Sequence, residues 1–325
     1  MRPGGILEVA AARHVAAIIA GDAVDTPDNF KFLCEAVIAS GVQPEPSPLN
    51  RSVGDILFAT SHRARLLRNP RRCAMYALPL IFLRDPPPGS DSIATLFLDL
   101  HRAGAVQAAS YPEYRNVEMD YVAARLSGRT FWPPSLDRFA LAFGWMTRDH
   151  CYGLTHLLLY ACDFGRSTLT LADDEIAMIE ALIAAADQRG DVDLMLELIL
   201  CHAAVANAGL ARKAFYAAVA ADSILPLLDR LESDPDRFAA LYHPLFVGWM
   251  HNAIGVAPVP SEIERARHAR LGAVMSAFAD GDPVTAIAAA HDLFAAFGPH
   301  PVIARLVDFQ GTMLARAMDE VSAAA

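Results

Sequence analysis

Apolar residues recur at helical spacing along almost the whole chain, and this periodicity constrains the fold more than any other sequence feature. Strand signals are scarce, because no Asn-Gly or Asp-Gly turn joins two runs of alternating polarity. The sequence therefore predicts an all-α protein of about 14 helices. The 15 candidate segments for these helices are Ile6–Ala20, Pro27–Ser40, Val53–Leu67, Pro70–Leu83, Ser90–Ala103, Tyr114–Leu126, Ser135–Trp145, His150–Asp163, Asp173–Gln188, Asp191–Ala208, Arg212–Glu232, Pro244–Ile254, Ser261–Ala279, Pro283–Phe297 and Pro299–Met318.

Short joints between these segments indicate how the helices pair. Gly190-Asp191 and Gly281-Asp282 each end one helix and cap the next within two residues. Joints of that length impose antiparallel hairpins. We therefore expect antiparallel pairs arranged as an α/α toroid or a curved helical layer, although no period of a named repeat family is present.

The domain organisation is expected to be simple. The clearest break is the stiff run Pro86-Pro87-Pro88-Gly89, which is too short to be a flexible linker. The sequence predicts one helical domain over residues 1–325, whose segments on either side of this run pack together. An N-terminal helical subdomain over residues 1–85 stays open as an alternative.

Charge and hydropathy exclude several classes of protein. The chain has 37 acidic and 27 Lys or Arg residues, a net charge of −10, which argues against a general nucleic-acid-binding surface. The best candidate among uncharged runs, Leu241–Pro260, is interrupted by prolines and polar residues, so no membrane span is predicted. The N-terminus lacks the pattern of a signal peptide. These observations predict a soluble cytoplasmic protein.

Residue usage agrees with this location. The five cysteines form no CxxC pair, and most lie in helical apolar patterns, as buried reduced thiols do. Lysine occurs only at Lys31 and Lys213, whereas Ala and Arg are abundant, which is typical of a GC-rich bacterial genome.

The segment around residues 150–163 has the most informative pattern. Tyr152, His156, Tyr160 and Asp163 share one face of the predicted helix, and leucines and alanines cover most of the rest. A helix this apolar is expected to be buried, so its polar face needs partners. His156 and Asp163 are candidates for metal ligands or for a general base and its orienting carboxylate. The alternative is a hydrogen-bonded core histidine, with Asp163 capping the turn that follows.

A second cluster follows Gly190. The i, i+4 spacing places Asp193, Glu197 and Cys201 on one side of a helix, with His202 rotated away from them. Glutamate is rarely buried without a partner, so Glu197 and His202 are site candidates. The structural alternative makes Asp191 or Asp193 the N-cap.

In the same structural alternative, Glu197 forms an ion pair with Arg212 or Arg189 and is not part of a functional site.

A third cluster is Tyr242-His243-Pro244. Proline is frequent in the first helical turn, so Pro244 predicts a helix start with His243 at the N-cap. Free N–H groups at such a terminus attract anions. His243 is therefore predicted as an acid–base group or ligand, with simple capping as the alternative.

Two further clusters are predicted to be solvated surface. One is the arginine run between Arg63 and Arg72, and the other is the acidic helix start that contains Glu113, Glu118 and Asp120. Neither pattern indicates a specific site.

At these clusters the chain resembles an uncharacterised group of actinobacterial all-helical proteins. The resemblance rests on Leu154-Thr155-His156 with Asp163-Phe164-Gly165, on Gly190-Asp191-x-Asp193-Leu194-x-x-Glu197-Leu198, and on Tyr242-His243. It covers mainly residues 90–255, and Pro244 stands where that group is expected to have a small hydroxyl residue. The resemblance implies that the gene lies near genes for natural-product biosynthesis. It does not imply a particular reaction. It favours an enzyme that modifies a small molecule or peptide.

Two functional hypotheses follow from the sequence. The first is a bacterial tailoring enzyme of specialised metabolism, whose catalytic groups His156, Asp163 and His243 approach one another in a polar helical cavity. Its predicted substrate-binding residues are Tyr152, Tyr160, Glu197, His202 and Tyr242. The sequence leaves open whether a divalent metal serves as cofactor, and no nucleotide-binding motif occurs. The alternative is a non-enzymatic helical-repeat protein that binds a peptide or protein. A homodimer is compatible with both.

Overall fold

The structure is a computed structural model that describes residues 3–24, 26–58, 76–105, 114–131, 147–251 and 261–324. These residues form an all-α fold with no strand, and the only backbone pairing of β type within them is an isolated bridge between Leu169 and Val205. The α-helices are α1 Pro3–Ala20, α2 Pro27–Gly41, α3 Pro48–Leu57, α4 Ser90–Arg102, α5 Tyr114–Leu126, α6 Arg148–Ala161, α7 Asp173–Gln188, α8 Val192–Ala204, α9 Leu210–Ser233, α10 Phe238–Met250, α11 Glu262–Ala279, α12 Pro283–Phe297 and α13 Pro301–Ala324. Short 3₁₀ helices cover Leu78–Phe82 and Pro235–Arg237.

The helix joints have the predicted chemistry. The side chains of Asp191 and Asp282 cap α8 and α12 by accepting hydrogen bonds from Leu194 N and Thr285 N. The glycines before them, Gly190 and Gly281, have φ values of 68° and 73°, which residues with a side chain rarely adopt. These joints confirm the sharp reversals that the sequence predicts.

The chain divides into two compact units. Unit 1 contains residues 1–134, 156–167 and 219–257, and unit 2 contains residues 135–155, 168–218 and 258–325. Helices α6 and α9 each contribute residues to both units. The prediction of a single domain stays a prediction.

Unit 1 is built around α2. This helix packs against α3, α10 and the 3₁₀ helix Leu78–Phe82, and α1 packs against α10. The same 3₁₀ helix also contacts α5, which lies beyond the proline run. The segments on either side of Pro86–Pro88 therefore pack together, as expected.

Unit 2 is built around α7. This helix packs against α8, α11 and α13, and α11 in turn packs against α12. Helices α7 and α11 approach closely at Gly272 of α11, where an added Cβ would lie 2.6 Å from the carbonyl oxygen of Ala184 in α7. A side chain at this position would therefore push the two helices apart.

Several helix boundaries differ from the prediction. Helix α3 begins at Pro48, five residues before the predicted start, with Ser47 as its N-cap. Helix α10 begins at Phe238, so Pro244 lies inside it instead of starting it. The predicted helix Ser135–Trp145 and the arginine run from Arg63 to Arg72 lie outside the described residues, as do residues 70–75 of the predicted helix Pro70–Leu83. The described part of that segment contains the 3₁₀ helix Leu78–Phe82.

The central leucine-rich helix is buried, as its composition predicts. Leu154, Leu157 and Leu158 of α6 are at most 2% exposed. The four cysteines in the described residues are buried and form no disulfide there, and Cys73 lies outside those residues. Within the described part of the chain, no helix combines the length and apolar character needed to cross a bilayer.

Candidate functional site

The carboxylate of Asp163, just after α6 in unit 1, is held by three side chains. Tyr121 Oη–H donates to its Oδ1 at 2.6 Å, and Arg166 Nη2 donates to the same oxygen at 2.8 Å. Arg125 Nη2 lies 3.3 Å from Oδ2. Burial, followed by the neighbouring carboxylate, raises the pKa of Tyr121 well above its ordinary value, so Tyr121 stays a hydrogen-bond donor.

The backbone of this turn adopts an uncommon conformation. Asp163, Phe164 and Gly165 have φ values of 52°, 55° and 85°. Residues other than glycine rarely adopt this left-handed region, and each costs about 1–2 kcal/mol there. The two hydrogen bonds and the ion pair with Arg125 around the Asp163 carboxylate offset part of that cost, so this group anchors the turn.

Aromatic contacts connect the other predicted residues of unit 1 to this turn. The ring of Tyr160 stacks on that of Tyr121, with centroids 5.0 Å apart. The His156 ring lies 6.0 Å from the Tyr160 ring. His156 and Asp163 therefore lie at opposite ends of one aromatic series.

His243 has a different environment from the one that the sequence predicts. It lies in the interior of α10, so the expected N-cap position is wrong; Pro244 removes one backbone N–H from this helix without ending it. Its Nε2 lies 3.5 Å from Glu35 Oε1, and Tyr242 packs against Phe32. The anion-attracting terminus proposed for His243 is therefore absent, and the catalytic roles of His156, Asp163 and His243 stay predictions.

In unit 2, a polar seam runs between α6 and α8. It consists of Arg148, Tyr152 and Thr155 on α6, of Asp193 and Glu197 on α8, and of Asp191, which caps α8, and we call it the α6–α8 seam.

The outer end of the α6–α8 seam is exposed. Arg148 donates to both carboxylate oxygens of Asp191, at 2.6 and 3.1 Å, and to Tyr152 Oη at 2.9 Å. Tyr152 Oη–H donates to Asp193 Oδ2 at 2.7 Å. Partial burial, followed by the hydrogen bond to Asp193, raises the pKa of Tyr152 well above its usual range, so this hydroxyl keeps its proton at neutral pH.

The inner end of the α6–α8 seam is buried. Thr155 Oγ1–H donates to Glu197 Oε2 at 2.6 Å, and Glu197 is only 4% exposed. Carboxylate oxygens of Asp193 and Glu197 lie within 4.8 Å of each other. Cys201 Sγ donates to Thr155 O at 3.6 Å, so Asp193, Glu197 and Cys201 all face α6, as their spacing predicts.

His202 faces away from this seam, in a second polar cluster. Its Nε2 lies 3.6 Å from Glu180 Oε1 on α7, and its ring lies 4.7 Å from that of Tyr216 on α9. Arg212 Nε lies 3.8 Å from the same Glu180 oxygen, and Arg212 Nη1 donates to Glu264 at 2.7 Å. Arg212 therefore pairs with these two glutamates, and its predicted pairing with Glu197 is wrong.

The ring nitrogens of His202 distinguish this cluster. Both are buried without a hydrogen-bond partner among the described residues, and the residue is 0% exposed. A buried polar atom without a partner typically costs about 1–3 kcal/mol, so His202 is the energetically costly member of this cluster.

Comparison with known sequence families adds one finding. Residues 36–253 match a family described as "Domain of unknown function (DUF6895)". The chain belongs to this family. The match spans every residue that the sequence predicts as catalytic or substrate-binding, so the Asp163 turn and the α6–α8 seam both lie within the DUF6895 region. No curated protein and no solved structure matches the chain.

His300 gives unit 2 a pH dependence. Burial lowers the pKa of His300 to about 4, so the folded unit keeps this imidazole neutral where the unfolded chain, near its ordinary 6.5, binds a proton. This contribution to stability is complete above pH 6.5 and is lost as the pH falls towards 4. The difference of 2.5 units corresponds to about 3 kcal/mol.

We therefore expect acidification from pH 7 to pH 4 to lower the free energy of unfolding of both wild type and His300→Gln by different amounts. The loss should be about 3 kcal/mol larger for wild type than for His300→Gln. Urea unfolding followed by circular dichroism at several pH values measures both proteins. Parallel stability curves for the two would contradict the assignment to His300.

Several residues of these sites do not stand out in the sequence. Tyr121, Arg125 and Glu180 are not among the predicted candidates, because each lies in an ordinary helical pattern and finds its partner only through tertiary packing. Glu118 is expected at the surface, yet it is buried at 2% exposure.

Proposed function

We propose that this protein is an enzyme that modifies a small molecule or peptide, and that the α6–α8 seam supplies its acid–base groups. The observation that carries the proposal is the buried carboxylate of Glu197 with the carboxylate of Asp193 nearby. Burying an ionisable group costs free energy, and such groups cluster at catalytic sites. Neighbouring carboxylates in unlike environments commonly divide the roles of acid and base.

The gradient of burial along the seam supports proton transfer. Glu197 and Thr155 lie at the buried end, Tyr152 and Asp193 are half-buried, and Arg148 is exposed. In this proposal Glu197 accepts a proton from the substrate, and Thr155 keeps its carboxylate oriented. The Asp193–Tyr152 pair connects the site with solvent.

The substrate class rests on the resemblance to actinobacterial proteins encoded near natural-product genes, which favours a small molecule or peptide of specialised metabolism. A carboxylate pair also suits Mg²⁺ or Mn²⁺, which prefer oxygen ligands. The assay below is therefore repeated with EDTA, and lost turnover there would support a metal cofactor.

The test compares wild type with Glu197→Gln, which keeps the size of the side chain and removes its basic carboxylate. Each protein is incubated with an extract of small molecules and peptides from an actinobacterial culture, and changes are followed by mass spectrometry. We expect a substrate to disappear and a product to form with wild type, and the variant to be at least about a hundredfold slower.

The matched control is Glu262→Gln, which changes an exposed glutamate on α11 of the same unit. It should react at the wild-type rate. Equal rates for folded Glu197→Gln and wild type would refute the role of the seam. Depletion of one compound without any product would favour the binding-protein hypothesis instead.

A further inference from the structure

A pocket of about 430 Å³ in unit 1 lies apart from both the Asp163 turn and the α6–α8 seam. It is located beside the C-terminal end of α4 and along α5. Its volume is within the range of small-molecule sites. It is lined by His101, Val117, Asp120, Ala124, Arg129, Thr130 and Phe131.

The histidine of this pocket is held in a defined orientation. His101 Nε2 lies 2.9 Å from Asp120 Oδ1, and its ring lies 6.2 Å from that of Phe97. In the neutral imidazole, the nitrogen this close to a carboxylate carries the proton, and the other ring nitrogen, Nδ1, is then the acceptor. Nδ1 makes no hydrogen bond within the described residues, so it is available to an N–H or O–H group in the pocket.

Arg129 places a positive charge at the rim of the pocket, whose lining also holds the Asp120 carboxylate beside His101. It lies in the exposed segment after α5, and its guanidinium forms no ion pair with the described residues. By contrast, Arg125, four residues earlier, pairs with Asp163. A guanidinium at the rim of a pocket binds carboxylates through paired N–H donors.

The remaining walls are apolar. Phe131 presents an aromatic ring that also packs against Tyr121, with centroids 5.5 Å apart, and Val117 and Ala124 add aliphatic surface. This packing fixes the Phe131 ring as a wall against which a flat apolar group can lie.

We propose that this pocket binds a small organic acid with an aromatic or other apolar body. Arg129 binds the carboxylate, Phe131 contacts the apolar body, and His101 Nδ1 accepts a hydrogen bond where the ligand offers a donor. The site lies in unit 1 and shares no residue with the α6–α8 seam. Ligand binding here can therefore be tested independently of the proposed acid–base chemistry.

The test uses 4-fluorobenzoate as the probe and follows its ¹⁹F NMR signal during titration with the full-length protein. We expect saturable binding and a dissociation constant that rises about tenfold or more in Arg129→Gln, because a charge-assisted hydrogen bond is lost. Neutral fluorobenzene should bind much more weakly than the acid.

The matched control is Arg102→Gln, which removes an exposed arginine next to His101 that pairs with Asp99 and does not line the pocket. It should bind the probe as wild type does. Absence of saturable binding to wild type, equal affinity in Arg129→Gln, or equal affinity for fluorobenzene would each overturn the proposal. Circular dichroism of Arg129→Gln confirms that lost binding does not reflect lost folding.

Discussion

Replacement of Leu157 by aspartate is expected to abolish soluble folding. Leu157 is 2% exposed, and its neighbours Leu154 and Leu158 are equally buried. A carboxylate placed there has no partner that could offset its lost hydration, and this penalty amounts to several kcal/mol. Because a typical domain is stable by only about 5–15 kcal/mol, the variant should accumulate as insoluble protein.

The control for this variant is Leu210→Asp. Leu210 is the first residue of α9 and is 85% exposed, and an acidic residue in a first helical turn is favourable. This variant should express as soluble protein with the melting temperature of wild type. A soluble Leu157→Asp variant with an unchanged melting temperature would contradict the burial of α6.

The second large effect is expected at Glu180 in unit 2. Its carboxylate is buried and lies within 4 Å of both His202 Nε2 and Arg212 Nε. Glu180→Met fills similar space but removes the negative charge that faces these groups. Breaking a buried charge cluster from one side typically costs about 3–5 kcal/mol, and we expect a loss near the lower end, because Arg212 keeps Glu264 as a partner.

Urea unfolding of Glu180→Met against wild type measures this loss. Glu232→Met, at an exposed position of α9, should change stability by no more than about 0.5 kcal/mol. Equal stability of Glu180→Met and wild type would show that the cluster contributes nothing to the folding of unit 2.

Local features of the fold could be predicted from the sequence. The joints at Gly190 and Gly281 were predictable because a positive φ and a capping aspartate depend only on neighbouring residues. The orientation of Glu197 towards α6 was predictable for a similar reason, since it follows from the i, i+4 spacing that Glu197 shares with Asp193 and Cys201.

Features that depend on tertiary packing could not be predicted. Pro244 is typical of a helix start, but the residues from Phe238 onwards already form α10, and the helix accommodates one missing N–H. The partners of His202 are distant in sequence, so nothing near it indicates Glu180 or Tyr216. The pairing of His101 with Asp120 likewise arises only when α4 packs on α5.

The number of turnovers tests most directly whether the protein is an enzyme, as we propose, or a binding protein. Once a compound that changes on incubation is identified, the product formed is measured against the amount of purified protein present. We predict a many-fold molar excess of product over protein for wild type and almost none for Glu197→Gln. A yield that never exceeds one molecule per protein molecule would contradict catalysis.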